Sequence, residues 1–130
     1  MQKQKGNCSI TNAAKGKLPR LPFSAMKEAV LGKKYRLSVV VITLAKMHGL
    51  NRTYRKKDAP TDILSFPLSK TEGEIFLNLT EAGKESKKFG RPFENFIAFL
   101  FIHGLVHLKG FAHGSRMEVL ERKFRNKFNV

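Results

Sequence analysis

The most restrictive feature of this sequence is a stretch without charged side chains that runs from residue 96 to residue 108. A helix that crosses a bilayer needs about 20 apolar residues, so this stretch is too short to span a membrane. A helix drawn through it is apolar on all sides, and such a helix is stable only when it is buried. We therefore predict a central buried helix over residues 93–108, and we expect no membrane partner.

The remaining elements are predicted from the spacing of apolar residues and from turn residues. We expect a helix from Phe23 that Gly32 stops, and helices over residues 44–54, 81–89 (capped by Thr80) and 116–128. Strands are expected over residues 35–43, buried on both faces, over 63–66, closed by Pro67, and over 74–77. Residues 1–22 are expected to be flexible or to add an edge strand at 8–11. The prediction is one domain, 1–130, of the α+β class, with helices packed against a single mixed sheet.

Charge narrows the classes of function. The chain has 25 Lys and Arg against 10 Asp and Glu, a net charge of +15, and residues 1–60 alone hold 14 basic and two acidic side chains. Such a density attracts polyanions, and nucleic acid is the commonest of them. The alternative is that the charge only keeps the protein soluble.

Cysteine content and the N-terminal sequence indicate the compartment. Cys8 is the single cysteine, so no internal disulfide can form, which fits a reducing cytosol. The first residues have no apolar core of the kind a secretory signal requires. We expect a cytoplasmic protein.

Three of the four histidines lie within eleven residues, in HGLVHLKGFAH. His103 and His107 are four residues apart and share one face of the predicted helix. Gly110 lets the chain leave helical geometry, so His113 can return as a third ligand. The pattern predicts a metal site with an open fourth position; the alternative is a set of core histidines bonded to backbone carbonyls.

The same spacing occurs in the metzincin peptidases, which need a Glu directly after the first His as a general base. Here that residue is Gly104, which cannot transfer a proton, so a peptidase is disfavoured while the metal ligands remain. His48 is expected to be a surface residue.

Residues 51–67, NRTYRKKDAPTDILSFP, together with HGLVHLKGFAH, resemble the YbeY family of rRNA-maturation endoribonucleases over roughly residues 30–125. The shared motifs are L-N-x-x-Y-R, T-D-x-L-S-F-P, a Gly-acid-Ile strand at residues 73–75, and H-G-x-x-H-L-x-G-x-x-H.

The resemblance implies an α+β fold with one zinc ion held by His103, His107 and His113. It implies a functionally important arginine at Arg55, which can grip a phosphate oxygen and stabilise charge in the transition state. It also implies single-strand-selective RNA cleavage in rRNA processing (the 16S 3′ end) and in ribosome maturation or quality control. The implied partners are RNA, chiefly rRNA, and the small ribosomal subunit with its proteins.

Two positions depart from the family pattern. Ala112 stands where the family has Asp before the last His, so a possible hydrogen-bond partner for a metal-ligating histidine is missing there. Glu74 replaces the family's Asp after Gly73. We expect Asp62 and Ser65 to make turn and strand-end hydrogen bonds, and no side chain stands out as the general base.

The alternative function is a ribosome-assembly factor that binds rRNA and uses zinc only structurally. Three histidines without a fourth protein ligand speak against a closed structural site, although Cys8 or a partner could supply one.

Overall fold

The computed structural model describes residues 2–130, which form one five-stranded sheet and five helices. The strands are β1 (Gln2–Lys5), β2 (Cys8–Asn12), β3 (Arg36–Val41), β4 (Ile63–Ser69) and β5 (Glu72–Leu77). The helices are α1 (Phe23–Leu31), α2 (Leu44–Arg55), α3 (Leu79–Lys88), α4 (Phe93–Leu108) and α5 (Ser115–Phe128).

The sheet has the strand order β1-β2-β3-β5-β4. β3 is parallel to both of its neighbours, whereas the edge strands β1 and β4 are antiparallel to theirs. The predicted fold class, a mixed sheet packed against helices, is therefore confirmed. Exposed Lys3 and Lys5 lie on β1 at one edge, and β4 at the other edge contains Pro67 beside a shift in register.

Helix α4 is the centre of the core and has the predicted bounds. Ten of its sixteen residues are buried, and it packs against α1, α3, α5 and β4. Its contact with α1 includes an edge-to-face pair, Phe23 and Phe101, with ring centroids 4.9 Å apart. Within the described part of the chain, no helix combines the length and apolar character needed to cross a membrane.

The N-terminal residues contribute more structure than the sequence predicted. The expected strand near Cys8 exists as β2, but its predicted place at the sheet edge is wrong, because β1 folds back outside it through a turn at Gly6. Cys8 is in the core and Ile10 packs against it, so β2 is held inside the sheet.

Three local predictions are also wrong. Helix α3 is capped by Asn78, not Thr80: the Asn78 side chain accepts from the Glu81 N–H at 2.9 Å and donates to the Ile42 carbonyl at 2.9 Å. Strand β3 is fully buried on one face only. A smaller cluster around Met47 of α2 covers its other face incompletely. Strand β4 continues through Pro67, which an edge strand tolerates because the missing N–H faces away from the ladder.

Candidate metal centre

The last turns of α4 and the loop after it bring three histidines together. His103 and His107 lie one turn apart on α4, and the chain then turns at Gly110, whose φ of 109° is in the region that favours glycine. This turn returns His113 to the helix end. The three ring centroids are 4.6, 4.7 and 5.2 Å apart, and one potential ligand atom from each ring lies within 4.8 Å of the other two.

His103 is oriented by a carboxylate that sequence reasoning missed. Its Nδ1 lies 2.7 Å from Oε1 of Glu121 on α5, and Glu121 is only 8% exposed. A carboxylate accepts, so Nδ1 carries the proton and Nε2 is left with its lone pair. The sequence did contain an indication of this role, because Glu121 lies on the apolar face of α5 between Met117 and Phe124. An unpaired charge at such a position would be costly.

His107 is oriented by the backbone. Its Nδ1 donates to the Phe111 carbonyl oxygen at 3.0 Å, which again leaves Nε2 free. Burial, followed by the neighbouring His103, lowers the pKa of His107 below its ordinary value. The ring is therefore held neutral at physiological pH, as a metal ligand must be.

These observations fit a zinc-type site. Two imidazoles have their Nδ1 atoms occupied by acceptors, and the third, His113, lies beside both. Imidazole nitrogen is a preferred ligand of zinc, and three protein ligands leave a position for water or substrate. Ala112 offers no such hydrogen-bond partner, but His103 has one in Glu121 from another helix.

Gly104 stands where a metzincin peptidase has its catalytic glutamate, and it also has a role in packing. A Cβ built on it would lie 2.9 Å from Ile63 Cδ1 and 2.9 Å from Ser65 Oγ. Position 104 thus faces β4, and its carbonyl accepts from the Ser65 hydroxyl at 3.4 Å. A glutamate at this position would collide with the sheet, which argues further against a metzincin-type centre.

Arg55 lines the same cavity as the three histidines. The cavity has a volume of about 370 Å³. Sequence reasoning placed Arg55 in a loop, but it is the last residue of α2, after which Lys56 adopts a left-handed conformation. Helix α2 packs on the face of the sheet opposite to α4. The position of Arg55 in the sequence therefore did not indicate that it lies near the histidines.

Asp62 has more than the turn role predicted for it. It lines the cavity of Arg55 and also a larger one of about 780 Å³ on the other side of His103 and His113. Burial, followed by the charge of Glu85, raises the pKa of Asp62. Of the described residues that line the smaller cavity, Asp62 alone has a carboxyl group.

His48 is a surface residue in the structure. Its Nε2 lies 2.7 Å from the exposed Asp58 carboxylate, away from the three clustered histidines.

The mixed sheet, the buried helix and the three histidines at its end define a class of small α+β proteins with a three-histidine centre that could hold a metal ion. The family model described as endoribonuclease YbeY matches residues 2–129. The chain belongs to this family, which confirms the resemblance of the motifs.

Individual relatives agree with the family match. The chain is 31% identical to the endoribonuclease YbeY of Pelotomaculum thermopropionicum, over 91% of this chain and 86% of the relative. It is 40% identical to that of Carboxydothermus hydrogenoformans over 64% of each protein, a little under two thirds of their lengths. A solution structure of a Thermotoga maritima protein superposes with a TM-score of 0.66 at 25% identity, covering 93% of this chain and 88% of the other.

Proposed function

We propose that this protein is a zinc-dependent endoribonuclease that cleaves single-stranded RNA. The observation that carries the proposal is the shared cavity of Arg55, His103, His107 and His113. An arginine beside a metal-ligating triad combines a phosphate-binding group with a metal site, and together these can support phosphodiester hydrolysis. The relatives named above are called endoribonucleases, which supports the choice of RNA as substrate.

His103 and His107 would hold one zinc ion per chain through the Nε2 atoms that their hydrogen bonds leave free, together with a ring nitrogen of His113. A bound zinc ion supplies Lewis acidity and lowers the pKa of a coordinated water to about 7. Glu121 and the Phe111 carbonyl keep two of the rings in the tautomer and orientation that ligation requires.

Arg55 would bind the scissile phosphate. Its guanidinium can donate two parallel hydrogen bonds to phosphate oxygens and stabilise the negative charge that grows in the transition state. Asp62, in the same cavity, would accept a proton at its carboxylate, and a pKa raised by burial brings it closer to the working range of a general base.

The biological role that we propose is rRNA processing, at the 3′ end of 16S rRNA, and ribosome maturation or quality control in the cytoplasm. The partners would be rRNA, the small ribosomal subunit and its proteins. Membership of the family and the net charge of +15 support this assignment, because a strongly basic surface favours binding to the RNA-rich ribosome.

Metal content and cleavage test the proposal together. Purified protein should contain about one zinc per chain, and it should cut single-stranded rRNA fragments in a reaction that a chelator stops and added zinc restores. His103→Ala and His107→Ala should abolish zinc binding, and His113→Ala should weaken it strongly. Zinc content unchanged in all three variants would contradict the metal assignment.

Arg55→Lys separates catalysis from binding. The lysine keeps the charge but loses the planar two-pronged geometry, so the cleavage rate should fall by roughly 10²–10³, as for a lost transition-state donor. Zinc content and thermal stability should not change, and RNA affinity should drop only slightly. Arg122→Lys, an exposed arginine on α5, is the matched control and should cleave like the wild type.

If Arg55→Lys cleaves at the wild-type rate, Arg55 has no part in the mechanism. If the wild type cuts no single-stranded RNA in a chelator-sensitive way, the ribosome-assembly factor with a structural zinc replaces the nuclease.

A further inference from the structure

Tyr54 is an exposed aromatic side chain that the proposed reaction does not use. It lies in the last turn of α2 and is 65% exposed. Its ring packs edge-on against Phe66 of β4, with centroids 5.4 Å apart, and Phe66 packs in turn on Phe76 at 5.7 Å. The ring is thus supported by the protein on one side while much of its surface remains open, and a flat aromatic face of this kind can stack with a nucleobase.

The surroundings of Tyr54 are strongly basic. Exposed Arg52, Lys56 and Lys57 flank it, and the only acidic neighbour in this segment, Asp58, is engaged by His48 at 2.7 Å and by Arg52 at 3.9 Å. Cations at the end of a helix complement the helix dipole, which accounts for the charges without any ligand. The dipole does not account for an exposed aromatic ring among them, whereas binding of RNA accounts for both features.

Tyr54 is separated from the candidate metal centre by a single strand. Ser65 and Pro67 of β4 line the cavity of Arg55 and the histidines, while Phe66 between them contacts Tyr54 on the other face, as alternation along a strand requires. β4 is an edge strand with no neighbour beyond it among the described residues. A chain of nucleotides can therefore cross this edge from the cavity to Tyr54.

The other side of the histidines is unfavourable for a phosphate backbone. Five carboxyl groups line the larger cavity of about 780 Å³, which is half of the ten in the whole sequence. They are Asp62, which also lines the smaller cavity, Glu81, Glu85, Glu118 and Glu121, against one lining arginine, Arg125. In a chain with a net charge of +15, this concentration of negative charge directs RNA toward the basic side.

We propose that Tyr54 is a stacking platform for an unpaired base of the RNA strand, which crosses the free edge of β4 while Arg55 binds one of its phosphates. This inference rests on the proposed function and adds a base-binding position outside the cavity. A base inside a duplex already has stacking neighbours on both faces, so this platform takes a base only from a single strand.

Binding of a single-stranded oligoribonucleotide, measured by stopped-flow fluorescence before cleavage proceeds, tests the platform. Tyr54→Ala and Tyr54→Leu should weaken binding by roughly five- to 150-fold, the usual range for loss of one base–aromatic stack. Tyr54→Phe keeps the ring and should bind like the wild type. Tyr54→Leu keeps apolar contact with Phe66, so a loss of affinity in a variant that melts normally cannot be ascribed to unfolding.

Phe89→Ala is the matched control. Phe89 is 60% exposed but lines the acidic cavity, so its removal should leave affinity unchanged. If Phe89→Ala weakens binding and Tyr54→Ala does not, the strand follows the other cavity and the inference is overturned.

Replacing each base in turn by an abasic nucleotide completes the test. The wild type should lose affinity strongly at one position, and Tyr54→Ala should be insensitive at that same position. Equal sensitivity of the two proteins at every position overturns the stacking role while cleavage by the wild type stands. Failure of the wild type to bind or cut RNA overturns both this inference and the proposed function.

Discussion

Glu121 occupies a position on α5 that packing alone would give to an apolar residue. It is buried between Met117 and Phe124 and makes a 2.7 Å hydrogen bond with His103. Glu121→Gln keeps the shape but removes the charge that fixes the His103 tautomer. Zinc affinity should fall by about 10- to 100-fold, the usual effect of losing such a partner, as measured by competition with a chromophoric chelator.

The control for this prediction lies on the same helix. Glu118 is exposed and pairs with Arg122 at 3.5 Å, so Glu118→Gln should leave zinc affinity unchanged. Equal zinc affinities of Glu121→Gln and the wild type would show that the carboxylate serves packing alone.

Asp62 and Asp58 should respond to neutralisation with opposite signs. The pKa of Asp62 is raised by burial, so the folded state holds this proton more tightly than the unfolded chain does. Stability from this group is present below the unfolded pKa and is lost as pH rises through the folded pKa. Asp62→Asn should therefore raise the Tm at pH 7, with metal content matched, and the gain should vanish at acidic pH.

Asp58→Asn provides the comparison. Its hydrogen bond with His48 lowers the pKa of Asp58, so its contribution is present at neutral pH and is lost as pH falls through the folded pKa. Because Asp58 is exposed, its neutralisation should lower the Tm only slightly. A Tm that falls in Asp62→Asn at pH 7 would mean that the charged form of Asp62 is stabilised by a partner.

The contact between α4 and β4 depends on Gly104. Gly104→Ala introduces a methyl group 2.9 Å from Ile63 and from Ser65, and overpacking of this kind costs roughly 1–3 kcal/mol. The displaced helix would also move His103 and His107, so zinc affinity should fall together with the free energy of unfolding measured in urea.

Gly49→Ala is the matched substitution in a helix with free space. Apart from its chain neighbours and the backbone of its own helix, no described atom lies within 4 Å of a Cβ at Gly49. Replacing a helical glycine by alanine stabilises by roughly 0.5–1 kcal/mol. If Gly104→Ala also stabilises the protein, the helix has room to shift away from the sheet.

Elements with a strong apolar pattern were predictable from the sequence, and those fixed by distant contacts were not. The stretch without charged residues predicted α4 with its observed bounds. A helix that is apolar on all sides is stable only when it is buried in the core. β1 has the polar sequence QKQK and forms only because β2 offers it an edge. Asn78 becomes the cap of α3 through a bond to Ile42 that lies 36 residues away.

The candidate site divides in the same way. The triad follows from helical spacing and a glycine, which are local features of the sequence. The partner role of Glu121 and the place of Asp62 in the cavity depend on how α5 and β4 pack against α4. The sequence alone does not specify that packing.

The uneven charge of the molecule as a whole predicts how RNA binding should depend on salt. On a log–log plot, affinity for single strands should fall with a slope of about −0.7 per neutralised phosphate. The double variant Lys56→Glu, Lys57→Glu should flatten this slope without loss of zinc. Lys123→Glu, Lys127→Glu makes the same change in charge on α5 and should have a smaller effect; equal slopes would assign binding to overall charge.

The two edges of the sheet have a consequence for association between molecules. An open strand edge can recruit a strand from another copy and seed aggregation. Here one edge carries the exposed Lys3 and Lys5, and the other carries Pro67 and an irregular register. Charge repels a second strand at β1, and the absent N–H breaks the ladder at β4. We therefore expect the β4 edge to resist growth of the sheet by self-association while it remains accessible to ligands that do not bind as a strand.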